Sequence, residues 1–156
     1  MRFEHRFTVH APQQAVAAFH ASAQVLKAIT PPPIIMQVHH APEPLGEGDH
    51  VVFTMWLGPI PVRWDSLISD VSVEGFTDTQ VQGAFGSWVH RHNFIKIDED
   101  TTEVYDVVEA EPGRGLFFGP LTHLMWAGNR ILFAYRAMRT RRLLERAKAE
   151  HSEARE

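Results

Sequence analysis

Apolar and polar residues alternate from Phe3 to His10, with Phe3, His5, Phe7 and Val9 on one side and Glu4, Arg6 and Thr8 on the other. A period of two predicts a half-buried strand. Pro12 then stands where a helix can begin, since a first helical residue needs no partner for its N–H. Gln13 to His20 is Ala-rich, with Val16 and Phe19 three apart, and predicts a short helix. Ser22 is placed to cap a second one running through Ala28. Thr30-Pro31-Pro32-Pro33 stops it, because consecutive prolines cannot continue a helix. Strands are then predicted over Ile35 to Ala41, Asp49 to Leu57 and Val62 to Val73, followed by the Phe76 strand, the His90/His92 strand and Thr101 to Ala110. The segments Pro42 to Gly48, Gly58-Pro59, Glu74-Gly75, Gly83 to Gly86 and Asp98 to Asp100 turn the chain between them. After the break Pro112-Gly113-Arg114-Gly115, Gly119-Pro120 marks a new helix start. Leu121, Leu124, Met125, Gly128, Leu132 and Tyr135 then recur three and four apart, one stripe of a helix reaching about Arg146. Such a helix is about 39 Å long and crosses a whole small domain.

This order defines an α+β fold. A seven-stranded antiparallel sheet curls through its own twist. The long C-terminal helix lies across the concave face, and two short helices follow the first strand: the helix-grip arrangement. Residues 1–147 read as one such domain, and Lys148 to Glu156 as a charged tail that frays. A cavity remains where sheet and helix diverge. Leu124, Gly128, Leu132 and Tyr135 are expected to face the sheet. A larger side chain at Gly128 is expected to push the helix outward or fill the cavity.

Strand parity points to the cavity wall. Phe76, Asp78, Gln80 and Gln82 share one face of their strand, and Trp88, His90, His92 and Phe94 share one face of the next. The opposite face of the second strand holds Arg91 and Asn93, which belong in water. An interior carrying Asp, Gln and two His suggests a lined cavity rather than a dry core, because buried polar groups need partners. Trp64 and Ser66 alternate inward on the strand from Val62. If Glu103, Tyr105, Val107 and Glu109 face water, then Val104, Asp106 and Val108 face in. The abundant Trp and Phe suit either core packing or a pocket for an apolar ligand. Phe117 and Phe118, beside the glycine-rich break, could form its gate.

The His90-x-His92 pair admits three readings: hydrogen bonding within the wall, direct contact with a ligand, or half of a metal site. A metal centre normally needs three convergent ligands, and the pattern does not specify the third. No metal is therefore assigned. A carboxylate beside a histidine can do acid–base work or serve as a fixed structural pair.

Composition narrows the rest. The chain has 156 residues, a formal charge of −4 and no cysteine, which excludes disulfides, thiolate metal sites and cysteine nucleophiles. No apolar run approaches the roughly 20 residues of a membrane span. The start of the chain lacks a signal-peptide core, so a cytoplasmic protein is expected. The basic stretch Arg136, Arg139, Arg141, Arg142, Arg146 and Lys148 is interrupted or followed by glutamates, so it reads as a solvated helix face and not a nucleic-acid surface. No G-x-S-x-G motif occurs, Gly113-x-Gly115 is too short for a phosphate loop, and no cofactor is expected. Oligomeric state is not legible.

Phe19-His20, Ile29-Thr30-Pro31-Pro32, Leu57-Gly58-Pro59-Ile60-Pro61-Val62-Arg63-Trp64, Phe76-x-Asp78-x-Gln80, Gly83-x-Phe85-x-x-Trp88-x-His90-x-His92-x-Phe94, Asp106-x-Val108 and Leu132-Phe133-x-Tyr135-Arg136 together resemble one group of proteins. It is the small bacterial, cyclase/dehydrase-like ligand-binding subfamily of the SRPBCC superfamily (START/Bet v 1-like). The resemblance runs from Phe3 to about Arg139 and departs at Ala84, where relatives usually have proline. It implies the helix-grip fold and a cavity, and it carries no catalytic motif. The superfamily includes lipid carriers, hormone binders and polyketide aromatase/cyclases. The expected function is binding of a hydrophobic small molecule: a lipid, an isoprenoid or a polycyclic aromatic. The alternatives are a cyclase or dehydratase using Asp and His, and a protein-interaction module. The residues expected at the ligand are Trp64, Ser66, Phe76, Asp78, Gln80, Trp88, His90, His92, Phe94, Asp106, Phe117, Leu124, Gly128 and Tyr135.

Overall fold

Alternation and turn chemistry produce a meander closed by a helix. The computed structural model describes residues 1–153. In chain order the elements are β1 (Arg2–Val9), α1 (Gln13–His20), α2 (Ala23–Ala28), β2 (Ile35–His40), β3 (His50–Leu57), β4 (Ile60–Ser72), β5 (Gly75–Gln82), β6 (Ser87–Asp98), β7 (Thr101–Glu111) and α3 (Gly115–Glu153). The strands form one antiparallel sheet in the order β1-β7-β6-β5-β4-β3-β2. This is the helix-grip fold. Among the described residues no helix is long and apolar enough to cross a membrane. The charged tail expected from Lys148 falls on the end of α3 and on residues 154–156, which lie outside the described residues.

Strand parity follows the alternation closely. Phe7 and Val9 of β1, and Val104, Asp106 and Val108 of β7, are buried, whereas Glu4, Arg6 and Tyr105 meet on the outer face. Val107 points outward yet is also buried. Its register neighbours are Arg91 and Glu4, whose long stems can cover it.

The long helix departs from expectation in two ways. It starts at Gly115, not at Pro120, which lies inside it. A proline there deprives only the carbonyl of Leu116, and Leu116 is fully exposed, so water can meet that oxygen. Thr122 strengthens the segment, accepting from the Gly113 N–H and donating to the Phe118 carbonyl.

The second difference is rotational. The most buried positions of α3 are Leu121, Thr122, Asn129, Phe133, Ala137, Thr140 and Leu144. This stripe is turned by about one residue from the one drawn through Leu124, Gly128 and Leu132. Three of its members are polar, so a count of apolar periodicity passes over them.

Two apolar clusters divide the interior. Phe7, Val9, Val16, Phe94 and Val104 pack with Ala137 and Leu144, so the C-terminal half of α3 closes over a dense core. The other cluster, built on Val51, Phe53, Val62, Trp64, Ile68 and Phe85, reaches only Leu121 of the helix among its buried members. The N-terminal half of α3 therefore spans a gap. The arginines expected on a solvated face pin the rest of it: Arg139 donates to the Ala28 carbonyl at the end of α2, and Arg141 to the Thr8 carbonyl.

Candidate functional site

The gap under α3 is a cavity of about 350 Å³. Most of its wall is apolar, drawn from α2, β2, β3 and β4, with Trp64, Phe85 and Trp88 at its aromatic side. His20, Asp78, His90, His92, Asn129 and Arg136 supply the polar part. Pockets for small ligands have this make-up: apolar walls and a few placed polar groups.

Register explains how the polar groups meet. Asp78 of β5 pairs with His90 of β6, and His92 pairs with Asp106 of β7, all with inward parity. His90 Nε2 and His92 Nδ1 each lie 3.0 Å from the same oxygen, Oδ1 of Asp106. Their rings are 3.8 Å apart, and His92 stacks on Phe76 at 4.3 Å. His20 stands 6.1 Å from His92, its Nδ1 bonded to the Val16 carbonyl.

Electrostatics follow from this burial. Burial, with the neighbouring His92, pushes His20 down to about 4. His90 and His92 are also lowered by burial, although Asp106 pulls both the other way. Burial opposes the charge on Asp106, yet the bonds from the two histidines more than offset it and hold the carboxyl well below the usual range. An ionised Asp106 accepting two imidazole N–H bonds is the consistent assignment. Burial raises Asp78, partly countered by a hydrogen bond from Ser66.

His90, His92 and Asp106 also offer three ligand atoms within 4.8 Å of one another, the donor set of a metal centre. Both histidines already bind the carboxylate, and the Arg136 guanidinium lowers His90 electrostatically. A divalent cation would have to break those bonds beside an existing positive charge, so the cluster suits hydrogen bonding better.

Of the fourteen residues expected at the ligand, Trp64, Phe76, Asp78, Trp88, His90, His92, Leu124 and Gly128 line the cavity. Ser66 sits behind Asp78 and receives the Trp64 indole N–H, and Asp106 sits behind the two histidines. Four lie elsewhere. Gln80 turns its amide to both backbone groups of Phe85, clamping the turn 83–86. Phe94 is buried in the other cluster. Phe117 is 58% exposed and rests on Phe118, and Tyr135 is half-buried outside the cavity. Leu124 reaches the lining while remaining 71% exposed, which places it at the mouth.

Sequence reasoning missed His20, Asn129 and Arg136. Asn129, Phe133 and Arg136 follow one another at spacings of four and three, a helical face readable once polar members are admitted. Gly128 also differs from expectation. A Cβ built there meets nothing within 4 Å, so a side chain enters the cavity instead of pushing the helix away. Gly128→Leu is expected to keep or raise the melting temperature, since leaving glycine in a helix gains up to about 1 kcal/mol. It should also abolish uptake of a hydrophobic fluorescent dye. Undiminished dye uptake would show that Gly128 does not face the binding space.

No family model matches the sequence, and no curated protein does. Solved structures match over nearly the whole chain. An aromatase/cyclase from a Streptomyces species is similar with a TM-score of 0.71 at 16% identity, covering 94% of each chain. A START superfamily protein from Mycobacterium smegmatis matches at 0.67 and 11% identity, over 94% of this chain and 98% of the other. Norcoclaurine synthase from Thalictrum flavum, solved with dopamine and hydroxybenzaldehyde, matches at 0.67 and 13% identity, over 94% and 87%. These likenesses establish the fold.

Proposed function

We propose that this helix-grip chain binds a hydrophobic small molecule, a lipid, isoprenoid or polycyclic aromatic, between its sheet and α3. The observation that supports this is the cavity itself: 350 Å³ of space, walled largely by apolar side chains and carrying a compact polar cluster at its side. A protein whose interior served only stability would fill such a space, since a void forfeits the contacts of every atom lining it. The volume corresponds to roughly a dozen waters' share of liquid, enough for a ligand of about that many heavy atoms.

Native mass spectrometry of the purified protein tests the reading, with a retained small molecule as the expected result. His92→Phe gives a finer test. The substitution removes a polar contact at the cavity while keeping an aromatic ring against Phe76. Affinity for a polar-headed ligand should fall by about tenfold, the worth of one buried hydrogen bond. The fold should survive, because Asp106 keeps the bond to His90. Unfolding without a separate binding defect would make the wall scaffold.

One observation favours a second reading, proton-transfer catalysis of the cyclase or dehydratase kind. His92 gives Nδ1 to an ionised Asp106, while Nε2 makes no hydrogen bond among the described residues. A neutral imidazole oriented by a carboxylate, with its second nitrogen toward a ligand, is the arrangement of a general base. Turnover that disappears in Asp106→Asn while ligand affinity persists would favour catalysis over carriage.

A further inference from the structure

The donors on α3 identify the ligand more narrowly. Arg136 lines the cavity, yet its Nε is buried without a partner. Its guanidinium makes no hydrogen bond or ion pair with any described residue, and it lies 5.4 Å from the centre of the Phe133 ring. Asn129 is 3% exposed, lines the same cavity, and its Nδ2 is likewise unpartnered. Arg139 and Arg141, three and five residues further on, both donate to carbonyls. Arg136 is different: it has a cavity in place of an acceptor.

Helix geometry brings these two donors together. Side chains on a helix lean toward its N-terminus, so Arg136 reaches back over Phe133 in the direction of Asn129. A guanidinium cannot shed its proton to escape a low-dielectric site, and it offers five N–H groups in a planar fork. Asp106 attracts it electrostatically but is not in ion-pair contact and already accepts from two histidines.

We infer that the ligand carries a carboxylate, received by the Arg136 fork and the Asn129 amide, with its apolar body against Trp64 and Trp88. The inference rests on the binding function proposed above. A carboxylate matches the fork with two parallel N–H···O bonds. Asp78 faces the same space with Oδ1 unpartnered. Burial raises its pKa, partly countered by Ser66, His92 and Arg136, and a nearby anion would raise it further.

Calorimetric titration of the whole protein at pH 7.5 tests this with two probe pairs of suitable size: 2-naphthoate against 2-naphthalenemethanol, and decanoate against 1-decanol. In at least one pair the acid should bind about tenfold or more tighter than its alcohol, as charge-assisted bonds outweigh neutral ones. Arg136→Met keeps the stem and removes the fork, and it should bring acid and alcohol within about twofold of each other. Its melting temperature should hold or rise, because an unpartnered buried charge has been removed. Asn129→Leu should narrow the same preference in part.

Alcohols binding as well as acids would overturn the carboxylate and leave the cavity reading intact. A preference that survives Arg136→Met would overturn the assignment to this residue. Unfolding of Arg136→Met would make the arginine scaffold and end the inference. No binding of any probe would refute both the inference and the function it rests on.

Discussion

Gly75→Ala is expected to destabilise the protein by more than about 3 kcal/mol, combining a backbone region nearly reserved for glycine with a direct overlap. The residue has φ of +146°, and a Cβ there would lie 1.9 Å from the carbonyl oxygen of His92. The obstacle is backbone, so no rotamer change relieves it. Gly75 pairs with Asn93, beside His92, and any accommodation must part β5 from β6 where the histidine meets Asp106. With total stabilities of about 5–15 kcal/mol, the loss is large. Gly48→Ala is the control: its φ is +80° but nothing lies within 4 Å of the added methyl. It should cost only the conformational term, about 1–2 kcal/mol. Urea unfolding of both variants checks this, and equal losses would mean that the overlap at Gly75 is relieved.

Stability is expected to fall steeply between about pH 6.5 and 4. His20, His90 and His92 are all lowered by burial. In the unfolded chain each takes up its proton near pH 6.5. Below that value the unfolded chain binds more protons than the folded one, so acid favours unfolding. The contribution is therefore complete above about pH 6.5 and lost as the pH drops toward the folded values, about 4 for His20. One proton corresponds to about 1.4 kcal/mol per pH unit, so His20 alone accounts for roughly 3 kcal/mol over its window. Asp106 has the opposite sign. Its stabilising contribution is present above the unfolded carboxylate value near 4 and is lost only in stronger acid. Asp78, raised by burial, works against the histidines, because its proton uptake on acidification favours the folded chain. Urea midpoints at pH 7.5, 6 and 5 should decline in order, and His20→Leu should flatten the decline. A midpoint constant across that range would show that the histidines are not buried as neutral rings.

The sheet was legible because a period of two, interrupted by turn residues, leaves little choice of register. Glu103, Tyr105 and Glu109 cannot all be buried, so Asp106 had to face in, where His90 and His92 also point. Parity fixes a face, however, and not a depth. Gln80 shares the face of Asp78 but lies at the strand end, where a backbone turn is a nearer partner than the cavity. Phe94 shares the face of His92 yet passes beyond the cavity into the packed cluster. The helix was read less well because its deepest positions include Thr122, Asn129 and Thr140, which apolar counting assigns to water. Arg136 was concealed for a related reason: it opens a basic run whose members Arg139, Arg141, Arg142 and Arg146 lie outside the cavity, and only the sheet opposite distinguishes it.

The shared oxygen of Asp106 gives the cavity a direction. Because His90 and His92 both spend their single imidazole proton on it, neither ring has an N–H left for a guest. Their remaining nitrogens present lone pairs from the sheet side, while Asn129 and Arg136 present N–H groups from the helix side. A bound molecule with an acceptor at one position and a hydroxyl at another can satisfy both walls in only one orientation. With the apolar body held against Trp64 and Trp88 as a third point, mirror-image guests would exchange those positions, so a chiral hydroxy acid is expected to bind with handedness.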